Sequence, residues 1–146
     1  MVKVETFLKD SNGDFQPVES CRTRPRDLDY IEGAIRLTID GAPIIGLGEW
    51  DYVDQLWCYL ADMIAQFGKT GYAETYFPDQ PIKLSFQSSG ERVLVTVEIG
   101  KEVRRASAPS VDFLESVKAA GTRFFEKMSE LAPANSYAEA LEDLTN

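Results

Sequence analysis

Residues 30–67 read YIEGAIRLTIDGAPIIGLGEWDYVDQLWCYLADMIAQF, and the change of hydrophobic period inside this stretch decides the fold class. From Tyr30 to Asp40, Ile31, Gly33, Ile35, Leu37 and Ile39 alternate with Glu32, Arg36, Thr38 and Asp40, the period of two that marks a half-buried strand. Asp40-Gly41 favours the positive φ of a tight hairpin, so Ala42 to Gly46 is expected to return as a short strand, and Pro43 suggests a sheet edge. From Glu49 to Phe67 the period becomes helical, with Val53, Leu56, Trp57, Leu60, Ile64 and Phe67 on one stripe and Gly68 where a C-terminal cap belongs. At about 100° per residue, the outer face of this helix carries Asp51, Asp54, Gln55, Cys58 and Asp62, flanked by Tyr52 and Tyr59.

A second hairpin follows: Ile82, Leu84 and Phe86 alternate with Lys83, Ser85 and Gln87, Ser88-Ser89-Gly90 turns the chain, and Val93, Val95, Val97 and Ile99 return. Weaker strand signals cover Val2 to Leu8, Tyr72 to Phe77 and Lys101 to Ala106, while Ser20 to Asp29 reads as loop. Ser110 is placed to cap a second helix carrying Leu114, Val117, Gly121, Phe124, Phe125 and Met128, which Pro133 ends. Ser136 and Glu139 form a capping-box signal for a short last helix with Tyr137, Leu141 and Leu144. Grouped strands separated by helices predict one α+β domain over residues 1–146, its mostly antiparallel sheet of about five to seven strands covered by a long central helix and two C-terminal helices.

The chain has 15 basic and 24 acidic side chains, a formal net charge of −9, and no histidine. That balance opposes binding to nucleic acid or an anionic membrane and favours a cationic protein partner. The excess acid is concentrated: residues 49–77 hold one basic and five acidic residues, and residues 110–146 hold three and seven. Without histidine, histidine-based triads and general bases are excluded, and most zinc sites with them, so no cofactor or metal is expected. Cys21 and Cys58 cannot make a disulfide framework, and no apolar run approaches the roughly 20 residues of a membrane span, which together suggest the cytoplasm.

Asp10-Ser11-Asn12-Gly13-Asp14 resembles the start of a calcium loop, but Phe15 stands where that loop needs Gly and Cys21 where it needs Glu, so a turn is expected. Gly46-Leu47-Gly48 lacks the Lys and Ser/Thr of a phosphate-binding loop. Arg22, Arg24 and Arg26, like Arg104-Arg105, lack the interleaved aromatics of a nucleic-acid surface. Acidic neighbours should hinder thiolate formation at Cys58. Glu49, Asp51 and Asp54 in the first turns of one helix could supply an acid and a base, although acids there also complement the helix dipole.

The block from Tyr30 to Ile64, with its YIEGAI strand, DG hairpin and WDxVDQLW helix, resembles bacterial immunity proteins of polymorphic or contact-dependent toxin systems. The resemblance implies a compact, acidic, non-catalytic protein that neutralises a toxin, often a basic nuclease, by occluding an essential surface. The residues expected to meet such a partner are Asp51, Tyr52, Asp54, Gln55, Tyr59 and Asp62 on the helix, and Tyr72, Glu74 and Tyr76 on the next strand. Two other classes remain open: a secretion-type chaperone, although those usually open with a helix, and a small-molecule-binding or enzymatic domain using Glu49, Asp51 or Asp54.

Overall fold

The computed structural model describes residues 1–146, in nine strands and three α-helices arranged as an α+β fold. Strands β1 (Val2–Lys9), β2 (Phe15–Pro17), β3 (Glu32–Ile39) and β4 (Ala42–Ile45) form an antiparallel sheet in the order β2-β1-β3-β4, and β5 (Asp51–Tyr52) also pairs with β3. After α1 (Val53–Thr70), strands β6 (Tyr72–Tyr76), β7 (Ile82–Ser89), β8 (Arg92–Ile99) and β9 (Glu102–Pro109) form a second antiparallel sheet in sequence order. Helices α2 (Ser110–Leu131) and α3 (Ala138–Thr145) close the chain. The single expected sheet is thus two sheets; β2 and β5, of three and two residues, are too short to show any alternation.

The predicted turns act as their chemistry requires. Asp40 and Gly41 both hold positive φ, 49° and 82°, which lets Ile39 pair directly with Ala42, and β4 with Pro43 lies at the sheet edge. The Asp10 carboxylate accepts the amides of Asn12 and Asp14, a side-chain-closed turn between β1 and β2. The second hairpin turns one residue later than expected, at Gly90-Glu91, because Ser89 still pairs with Arg92.

Helix boundaries differ more. Residues 47–49 form a 3-10 turn and Asp51-Tyr52 pairs with Gly33 and Glu32, so α1 begins at Val53 rather than Glu49. Gly68 is helical, and the left-handed cap is Gly71 at φ 75°, its amide donating to the Phe67 carbonyl. Neither Ser110 nor Ser136 caps with its side chain; α2 and α3 start after Pro109 and Tyr137.

Both sheets and all three helices share one core. Val4, Ile35 and Ile45 of the first sheet meet Leu84 and Phe86 of the second, with Trp57 and Leu60 of α1 and Phe113 and Val117 of α2. At its centre the Trp57 indole is fully buried, donates Nε1–H to Thr6 Oγ1 at 3.1 Å and stacks on Phe124. The sheets also meet at β4 and β9, where Arg104 donates to the Ile44 carbonyl at 3.3 Å and pairs with Glu49 and Glu102 at 2.5 Å. No helix is long and apolar enough to cross a membrane.

Two glycines permit this packing by lacking a Cβ. At Gly121 a Cβ would lie 2.7 Å from Leu144 Cδ1 and 2.8 Å from the Trp57 ring; at Gly33 it would lie 2.2 Å from the Phe7 carbonyl oxygen. At Gly121 the Leu144 end can turn aside but the buried Trp57 ring must shift slightly, whereas at Gly33 the Phe7 backbone is held in the β1–β3 ladder and the approach is closer. Gly121→Ala should cost about 1–3 kcal/mol and Gly33→Ala more than that, as read from urea unfolding midpoints. Equal midpoints for the two variants would contradict this account of the packing.

Candidate partner-binding surface

The expected outer face of α1 is divided by what packs on it. Asp51 is only 2% exposed and sits in β5, ahead of the helix. Its carboxylate accepts the backbone amides of Tyr52 (2.7 Å), Asp79 (3.0 Å) and Gln80 (2.9 Å), fixing the loop that follows β6 against the start of α1. Asp54, 7% exposed, is covered by the C-terminal segment, and Tyr137 donates its hydroxyl to Asp54 Oδ2 at 2.9 Å. Asn135 holds the same hydroxyl and the Leu28 carbonyl. Both aspartates therefore leave the exposed set predicted for the helix, since β5 pairing turns one inward and α3 covers the other.

Burial pushes the Asp54 carboxyl above the usual aspartate range, opposed by the Tyr137 and Gln55 hydrogen bonds. Burial also pushes the half-buried Cys58 thiol up to about 11, with Asp54 and Glu139 adding to the shift. Cys58 is thus a poor nucleophile at neutral pH.

Exposed on α1 are Tyr59 and Asp62, beside the half-buried Gln55, whose side chain donates to the Asp29 carbonyl at 3.4 Å. On β6, Tyr72, Glu74 and Tyr76 point to solvent from the outer face of the second sheet. Glu74 is already engaged there, accepting the Tyr72 hydroxyl at 2.9 Å and facing Lys83 Nζ at 3.3 Å.

Tyr52 belongs to a grouping that residue patterns did not reveal. It pairs across the ladder with Glu32, its ring lies 5.1 Å from that of Tyr30, and with Trp50, Gly48, Asp79 and Gln80 it lines a cleft of about 260 Å³ with Asp51 in its wall. Burial raises the Tyr52 phenol, with Asp79, Glu32, Tyr30 and Asp51 contributing, as expected of a hydroxyl among carboxylates. Glu32 and Asp79 are exposed, and neither has a cation within ion-pair reach. Lys9 Nζ rests 3.8 Å from the centroid of the Trp50 ring. The Pro78-Asp79-Gln80-Pro81 turn was a legible signal for an exposed acid, but nothing local joins it to Glu32.

Glu49, Asp51 and Asp54 are each bound to a different structural partner: Arg104 and the Gly46 amide, the 79–80 amides, and Tyr137. No group of three acids or cysteines is arranged to hold a metal ion. No family model, curated protein or solved structure matches the chain.

Two predictions separate anchoring acids from free ones. Asp51→Ala strands buried amides and should cost about 2–4 kcal/mol in urea unfolding, whereas Asp62→Ala should stay within about 0.5 kcal/mol of the parent. Similar losses for both would reject the distinction. For Asp54, the raised folded pKa means that the folded chain holds the proton more tightly than the unfolded chain, whose carboxyl titrates near 3.9. Its stabilising contribution is complete below about pH 4 and is lost as pH rises through the folded value. Asp54→Asn should therefore gain stability relative to the parent between pH 4 and pH 7; a pH-independent difference would contradict the assignment.

Proposed function

We propose that this chain is a non-catalytic protein-binding domain, an immunity-type inhibitor that neutralises a cationic toxin domain by covering it. The observation that carries this reading is a set of exposed acids without cationic partners: Glu32 and Asp79 at the cleft, with the exposed Tyr30 and the half-buried Tyr52 beside them, and Asp62 on α1, which also exposes Tyr59. α1 spans about 27 Å, joining the cleft at its start to β6 at its end, a length suited to a protein surface. A net charge of −9 speeds encounter with a basic partner, and exposed tyrosines contribute contact area at small entropic cost. Because Glu49, Asp51 and Asp54 are all committed to structural bonds, we favour binding over a reaction built on those three.

The test is to read the neighbouring open reading frames for a toxin module and to co-express this chain with that module; neighbours that encode none would count against the proposal. The parent should restore growth and bind the toxin tightly, and the triple variant Glu32→Gln, Asp62→Asn, Asp79→Asn should slow association by at least about tenfold at low salt. Growth that stays arrested, with no binding between the purified proteins, would overturn the proposal.

A further inference from the structure

We infer that the outer face of the second sheet, formed by β6 to β9, is the contact between two copies of this chain related by a twofold axis. Strand alternation sends Ala73, Leu84, Phe86, Val95 and Ala108 into the core beneath α1 and α2, so the alternate residues stand on the side away from the helices. Three of the seven large hydrophobic side chains exposed on the whole chain lie on this one face: Tyr72, Tyr76 and Val103, at 36%, 61% and 47%. The half-buried Leu94 of β8 lies among them, where a solvated antiparallel face normally carries polar residues. In a chain of net charge −9, the face sets Lys83, Arg92 and Arg105 against Glu74 and Glu98, so it does not repel a copy of itself. The excess acid lies on other surfaces, and its field is screened over about 8 Å at physiological salt.

The ladder register fixes which residues share a row across the face: Tyr76, Lys83, Glu98 and Val103 in one, and Glu74, Ser85, Thr96 and Arg105 in the next. Turned about an axis parallel to the strands and midway between β7 and β8, each row meets its own reverse. Glu74 then stands opposite Arg105 of the second copy, Lys83 opposite Glu98, and Tyr76 opposite Val103, and each pair occurs twice. The other axis in that plane, running across the strands, sets Glu74 against Glu74 and Arg105 against Arg105, so charge selects the first. Arg105 has no ion pair within its own chain, which leaves it available to a second copy. Stacked sheets lie about 10 Å apart and about 30° out of line, a rotation that long side chains in the outer pairs can follow. The face measures about 19 Å across its four strands and about 20–25 Å along them, or about 1,000 Å² for two copies. That area is at the low end of specific interfaces and fits a reversible dimer. None of Glu32, Asp62 and Asp79 lies on these four strands, so the inference is independent of the partner surface proposed above.

The test is sedimentation velocity on the full chain over a micromolar concentration series, beside ¹⁵N spectra of the same samples. The expected result is a monomer–dimer equilibrium with a dissociation constant on the order of tens of micromolar, and amide shifts with concentration that fall on β6 to β9. Arg105→Glu and Glu74→Arg each set like charges opposite one another across the axis and should each weaken dimerisation at least about tenfold. Both side chains are exposed, so the two variants should fold as the parent does. An equimolar mixture of the two restores opposite charges at both contacts and should associate within about threefold of the parent. A parent that stays monomeric, concentration-dependent shifts on other surfaces, a dimer indifferent to Arg105→Glu, or a mixture that stays monomeric would each overturn the inference. The parent's own spectra decide the contact even where a variant unfolds.

Discussion

The buried indole of Trp57 is where the separate parts of this protein become one core. Its single polar atom is satisfied by Thr6 from β1, its ring stacks on Phe124 from α2, and Leu144 from α3 fills the space left by Gly121. A ring of this size buries about 150–250 Å² and leaves no room for alternative packings once its N–H is paired. α1 is thereby fixed between the first sheet and the C-terminal helices. Everything exposed or hidden on its outer surface follows from that position.

One consequence is that α3 packs on α1, with Tyr137 reaching Asp54 and its ring tilted against that of Phe125, 5.0 Å between centroids. A carboxylate expected in water is placed at a helix junction, where its hydrogen bonds only partly offset the loss of solvation. The other consequence is at the start of the helix. There the backbone is held in the β3 ladder, and Asp51 turns inward to collect the amides of a loop from the second sheet. Charged-group hydrogen bonds of this kind contribute about 1.5–3 kcal/mol each, enough to order a short loop.

The same anchor forms the cleft. By tying residues 79 and 80 to β5, it brings a free carboxylate from one sheet opposite a free carboxylate and two tyrosines from the other. The acids that hold the fold, Glu49, Asp51 and Asp54, are thus different residues from the exposed, unpaired Glu32, Asp62 and Asp79 that flank them in the chain. Glu32, Asp62 and Asp79 are exposed, and none of their carboxylates forms an ion pair within the chain.

By itself the sequence determined the α+β class, the DG hairpin, the edge position of β4, the helical stripe of α1 and the excess of acid, because period-two and period-3.6 patterns and turn residues are local properties. It could not show that the strands divide into two sheets, that β5 delays the helix to Val53, or that Asp51 and Asp54 are buried. A helical projection has one apolar face and treats the opposite side as solvent; here α3 covers part of that side. Only the tertiary structure decided which acids are free, since Glu32, Tyr52 and Asp79 meet through pairings between chain segments far apart in sequence. Such pairings depend on where Trp57 locks the helix, and no local pattern encodes that.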